Sequence, residues 1–251
     1  MTMPEYVTTS LANKNFLEIL DENGITFYGG HQSWFERFTQ NFGGCGPTAA
    51  ANIVAYMTSN ISELSDLSGY HKENISIGDF SELMETVYSY VTPRELPIWN
   101  HFSDKKGSQV GIPSLGITSL SKFAIGVENY ARSKGVDLKA NRFKEKPTLV
   151  NVVNYIKKGM VNDSPVALLN MLHKVEVQWI SPITGESRAR DIQRHWVTIT
   201  GLTENKNSGE YTLEASTWGG KATLSLNELI DQDWKSKLVS GGMVYFEMAS
   251  T

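Results

Sequence analysis

The chain has 251 residues, 40% hydrophobic and 20% charged, with 23 basic and 27 acidic side chains and a net charge of −4. That balance, without a long basic block, argues against a nucleic-acid footprint, and no apolar run approaches the roughly 18 residues that a membrane-spanning helix needs. The length accommodates one large domain or two small lobes. A single cysteine excludes an intramolecular disulfide framework and fits a reducing compartment. Residues 1–6 carry neither a basic nor an apolar signal-peptide region, so the expected location is the cytoplasm, with leaderless export left open.

In chain order, the opening segment to Gly24 is polar, with a short helical stretch expected around Phe16 to Leu20. Ile25 to Gly30 reads as a strand ending in a Gly-Gly turn. The aromatic-rich run Gln32 to Gln40 fits a helical turn or a loop, broken by Gly43 and Gly44. From Cys45 a helix rich in small apolar residues runs to Met57 and ends at Asn60-Ile61-Ser62, with Pro47 in its first turn, where a missing N–H does no harm. Helical spacing recurs over Ser76 to Tyr90 and Ser119 to Lys134, with a loop-like Pro93 to Pro113 between them.

The second half changes character. Thr148 to Gly159 reads as a helix, then strands are expected over Pro165 to Met171, Val175 to Ile180, His195 to Gly201, Tyr211 to Thr217, Ala222 to Leu226 and Met243 to Met248. Asn227 to Leu238 fits a short helix, and the charged run Glu186 to Arg194 fits a solvated loop or a substrate-selecting lip. The pattern predicts an α+β protein, with residues 1–147 mainly helical and 148–251 mainly β.

Chemistry concentrates at four places. Cys45 opens a helix after Gly43-Gly44, where the helix dipole favours a thiolate, the true nucleophile. An apolar strand follows at Pro165 to Met171, and His195 then begins a strand, placed to exchange protons with a thiol and a leaving group. Ser216-Thr217-Trp218-Gly219 closes the next strand. The backbone N–H of Cys45 supplies one oxyanion donor, and a side-chain amide usually gives the second. One cysteine and scattered histidines (His31 and His173 among them) offer no metal-ligand spacing, and no cofactor is expected.

Gly44-Cys45-Gly46-Pro47-Thr48-Ala49-Ala50 resembles the nucleophile motif of the C39-like, bacteriocin-processing branch of papain-like cysteine peptidases. Pro165-Val166-Ala167 and His195-Trp196-Val197-Thr198-Ile199-Thr200-Gly201 resemble that branch's second half, and Ser216-Thr217-Trp218-Gly219 its Asn-Ser-Trp-Gly segment. The match covers roughly 29–58 and 148–225. The resemblance implies a papain-like fold and a Cys45–His195 pair acting on a peptide or protein substrate, with Trp218 shielding the histidine's partner. Ser216 stands where the family has Asn or Asp, and Glu214, on the same strand face, is the alternative orienting group. Gln32 and Gln40 are both candidates for the oxyanion amide, with Gln32 favoured because it follows the Gly29-Gly30 turn. A papain-fold acyltransferase or amidase, and a catalytically weak peptide-binding module, stay open as alternatives, as does the oligomeric state.

Overall fold

A computed structural model describes residues 5–68, 75–93, 117–171, 174–233 and 241–249. The first part runs β1 (Tyr6–Ser10), β2 (Glu18–Leu20), β3 (Thr26–Tyr28), a 3-10 turn (Gln32–Trp34), α1 (Phe38–Gly43) and α2 (Cys45–Asn60). After a second 3-10 turn (Ser62–Leu64) come β4 (Ile75–Ser76), α3 (Ile77–Tyr88), α4 (Leu120–Ser133), β5 (Leu138–Arg142) and α5 (Leu149–Val161). The remainder is β6 (Val166–Asn170), β7 (Val175–Ile180), β8 (Ser187–Ile192), β9 (His195–Asn205), β10 (Glu210–Thr217), β11 (Gly220–Ser225), α6 (Leu226–Asp233) and β12 (Gly242–Met248).

The chain is mixed α+β, built around one large antiparallel sheet. Its order is β5-β12-β6-β9-β10-β11-β7-β8, with β1 also paired to β9. Strand β9 is long enough to serve two partners on one edge: β6 pairs with residues 195–199 and β1 with residues 201–205. A smaller sheet, β3-β2-β4, lies apart. The strands β1 and β5 come from the first half of the chain, and a single apolar core runs from Leu11 to Phe246. No helix among the described residues is long and apolar enough to cross a membrane.

Helix α2 is buried from Cys45 through Thr58. Its small side chains Ala49, Ala50 and Ala51 let it lie close against β9 and β6 on one side and α3 and α4 on the other. The amphipathic helices begin at side-chain caps: Ser76, Ser119 and Thr148 each accept from the N–H three residues on.

Four elements depart from the sequence reading. Phe16 to Leu20 is not helical: Phe16 takes a left-handed φ of 56°, and Glu18–Leu20 is a strand. Burial decides this, because the Phe16 ring is inserted against Tyr56, 5.4 Å between centroids. The charged run before His195 is a strand rather than a loop: β8 pairs with β7 along its whole length. It is an edge strand, and an edge tolerates charge. The polar opening segment and Leu138–Arg142, neither read as strand, both add to the large sheet. Most of the Pro93 to Pro113 loop, the end of the Asn227 to Leu238 helix, and His173 lie outside the described residues.

Candidate active site

Gly44 is the joint between α1 and α2. A Cβ there would lie 2.3 Å from the Gln40 carbonyl oxygen, so only glycine lets the chain restart a helix at this point. Cys45 is the first residue of α2, and the helix's own bonding begins with Thr48 N–H donating to Gly44 O at 2.9 Å. Gly46 has no room for a side chain, since its Cβ would meet Thr118 Oγ1 at 2.8 Å and Trp196 Cδ1 at 3.3 Å. The start of α2 therefore seats directly on the strand carrying His195. Burial pushes the Cys45 thiol up to about 11, against the backbone N–H groups of Trp196, Gly46 and Cys45, which favour the thiolate.

His195 opens β9, opposite Asn170 of β6. Its Nε2 lies 2.7 Å from Thr217 Oγ1, and Trp218 stacks on the ring, 4.5 Å between centroids and 21° from parallel. Burial, then the neighbouring His31, holds its pKa down to about 3, so the resting imidazole is neutral. The residues flanking this arrangement are twisted: Arg194 and Trp218 both have left-handed φ, 50° and 49°. Non-glycine residues in that region collect where function over-determines the backbone.

Cys45, His195, Gln32, Ser216, Thr217 and Trp218 line one small cavity. Gln32 Nε2 donates to Asn41 O at 2.9 Å, leaving its second N–H for a ligand. Gln40 lies elsewhere, in a groove with Trp34, Glu82 and Tyr88, where its Nε2 donates to Glu85 Oε2 at 2.6 Å.

The candidate orienting groups are separated by strand parity. Ala215 sits opposite Ile199, so Thr217 falls on the face of Val197 and His195, whereas Ser216 sits opposite Thr198 on the face toward α2. Accordingly Ser216 Oγ donates to Tyr28 O at 2.6 Å and accepts from Asn52 Nδ2 at 3.3 Å. Glu214 accepts from Tyr28 Oη at 2.9 Å and pairs with Lys221 at 2.5 Å. Neither meets His195, and the hydroxyl that does belongs to Thr217.

Comparison with known proteins finds no match to any family profile and none to any curated protein.

Asn52 was not singled out in the sequence. Buried two turns beyond Cys45, it accepts from Gly30 N–H at 2.8 Å and donates to Thr198 and Ser216, both at 3.3 Å. It thereby ties the Gly29-Gly30 turn, α2 and the β9–β10 pair together. The spacing Cys45, Thr48, Asn52 marks one helix face, a polar stripe in an otherwise apolar helix, and was the available signal. His31 lies beside Gly219, next to residues that line the cavity, where its Nδ1 accepts from Ser33 N–H at 3.0 Å, and burial, then Arg190, lowers its pKa to about 4. Among the described residues no group of three His, Cys, Asp or Glu side chains gathers to hold a metal.

Proposed function

We propose that this protein is a cysteine peptidase of the papain-like, C39-like kind, hydrolysing peptide bonds through a Cys45 thioester. The observation that carries the reading is the convergence of Cys45, at the head of a buried helix, and a Thr217-held, Trp218-capped His195 on one cavity.

With Nε2 engaged by Thr217, Nδ1 is the nitrogen that serves the thiol. As a peptide carbonyl enters, His195 takes the Sγ proton and sulfur adds to the carbonyl carbon. The oxyanion is met by the Cys45 N–H and the Gln32 amide. The adduct collapses to a thioester as the imidazolium protonates the departing amine. Water, deprotonated by His195, then adds to the thioester and releases the acid and the thiol.

The test is digestion of a peptide library by wild type and Cys45→Ala, with trapping of an acyl-Cys45 adduct by mass spectrometry. Cys45-dependent cleavage supports the reading, and its absence across the library overturns it. If the trapped adduct is discharged by amines in preference to water, the protein is an acyltransferase of the same fold.

One observation favours a second reading, a peptide-binding module with a weak thiol: the resting pair is neutral, with Cys45 at about 11 and His195 at about 3. Alkylation of Cys45 by iodoacetamide at pH 6, compared with a free thiol, separates the two. A rate no higher than the free thiol's, together with peptide binding but no turnover, selects the module.

A further inference from the structure

The β7–β8 hairpin carries a cation that the chemistry above does not use. Arg190 sits opposite Val177, on the face that β7 buries, so its side chain reaches diagonally across Trp179. Its guanidinium carbon lies 3.8 Å from the centre of the Trp179 ring and 5.3 Å from that of Trp218. Trp218 is the ring stacked on His195 at 4.5 Å, so the guanidinium is one indole away from the imidazole. Trp179 is in turn fixed to this corner, its Nε1 donating to the Thr217 carbonyl at 3.0 Å.

The neighbouring carboxylates are committed elsewhere. Asp191 pairs with Lys174 at 3.3 Å, Glu186 with Arg188 at 2.7 Å, and Glu214 with Lys221 at 2.5 Å. Among the described residues none pairs with Arg190, and no carboxylate lines the Cys45 cavity. The charge is felt nonetheless: it contributes to keeping His31 neutral, and His31 does the same to His195. A guanidinium held over an indole by its carbon, with no carboxylate partner among the described residues, has its N–H fork available for a planar anion, and a carboxylate matches that fork with two parallel bonds.

We infer that Arg190 is a specificity-determining residue that engages a carboxylate of the substrate, an acidic side chain or the chain's own terminal carboxylate, beside the scissile bond. The inference rests on the hydrolase reading for the word scissile, but the anion site itself is testable without turnover.

The probe is a set of hexapeptides in matched pairs, Glu against Gln at each position and free acid against amide at the C-terminus. Binding is measured with Cys45→Ala protein and cleavage with the wild type. One acidic pair member is expected to bind at least about tenfold tighter than its neutral twin, the scale of a charged hydrogen-bonded contact. Which arm shows the preference tells side chain from terminus. Arg190→Gln, in the Cys45→Ala background, abolishes the preference, whereas Arg190→Lys keeps the stem on Trp179 and restores part of it, so a folding defect is distinguished from loss of the fork. Equal binding of both members of every pair, or a preference that survives Arg190→Gln, overturns the inference. Acid-selective binding without any cleavage leaves the anion site standing and sinks the peptidase reading instead.

Discussion

His195 Nε2 and Thr217 Oγ1 lie 2.7 Å apart, and this contact engages one of the two ring nitrogens inside the cavity that Cys45 also lines. On the peptidase reading proposed above, a neutral hydroxyl takes the place of an orienting carboxamide or carboxylate. It holds the ring angle, leaves the tautomer open because a hydroxyl both donates and accepts, and does not stabilise an imidazolium by charge.

Thr217→Val keeps the shape of the side chain and removes the contact. Activity is expected to fall by about ten- to a hundredfold, the scale set by small misplacements of a catalytic group. Thr217→Ser should retain most of it. Ser216→Ala should leave the rate far less affected, while removing the bond to the Tyr28 carbonyl. Steady-state kinetics on the three variants checks this, and a Ser216→Ala defect as deep as that of Thr217→Val would refute it.

Asn52→Ala strands the buried Gly30 N–H and removes the bonds to the Thr198 and Ser216 hydroxyls, the latter keeping its bond to the Tyr28 carbonyl. Leaving a buried group unsatisfied costs about 1–3 kcal/mol, so urea unfolding should show a destabilisation of about 2 kcal/mol or more. The Gly29-Gly30 turn should loosen first, seen as faster amide exchange there.

At Gly46 the added methyl of an alanine would press on Thr118 and Trp196. Overpacking of this kind costs about 1–3 kcal/mol. Because the strain is relieved by lifting the head of α2, activity should fall by more than tenfold at temperatures where the variant is fully folded. Paired thermal melts and rate measurements separate the two effects.

Both cleft histidines are held below the ordinary 6.5, His195 at about 3 and His31 at about 4. Between those values and 6.5 the unfolded chain binds protons that the folded chain refuses. Their effect on stability is therefore nil above pH 6.5 and becomes a growing penalty as pH falls below it, with a slope of roughly 1.4 kcal/mol per pH unit for each histidine. Urea unfolding at pH 7, 6 and 5 should show this decline, and His31→Gln should make it shallower.

Much of the frame is legible in the residues themselves. The helix from Cys45 to Asn60 is marked by its small residues and by Pro47 in its first turn, and β7 by strict alternation, Val175, Val177 and Trp179 inward. Other parts depend on partners that periodicity does not name. The β8 strand is charged on both sides because it is an edge, so its pairing leaves no apolar signature. Phe16 adopts its left-handed turn for the sake of a contact with Tyr56, far along the chain. In the site, Cys45 and His195 stand out by type and context, whereas choosing Thr217 over Ser216 requires the register of β10 on β9. That register shifts once, between Glu214 and Ala215, and a one-residue slip exchanges the two faces. Gln32 and Gln40 are alike in sequence, and only the turn before α1 sends them to different cavities.

The sharing of one edge of β9 by β6 and β1 bears on how the molecule is made. Thr8 meets Thr203 across 195 positions of sequence, and His195 comes to line the same cavity as Cys45 only once that same strand has been laid down. Pairings this distant in sequence form late and slowly. During synthesis the first segment must wait for a strand nearly 200 residues further along the chain. On the peptidase reading proposed above, the order of translation would act as a safety catch, because Cys45 emerges about 150 residues before His195, the partner that would arm it.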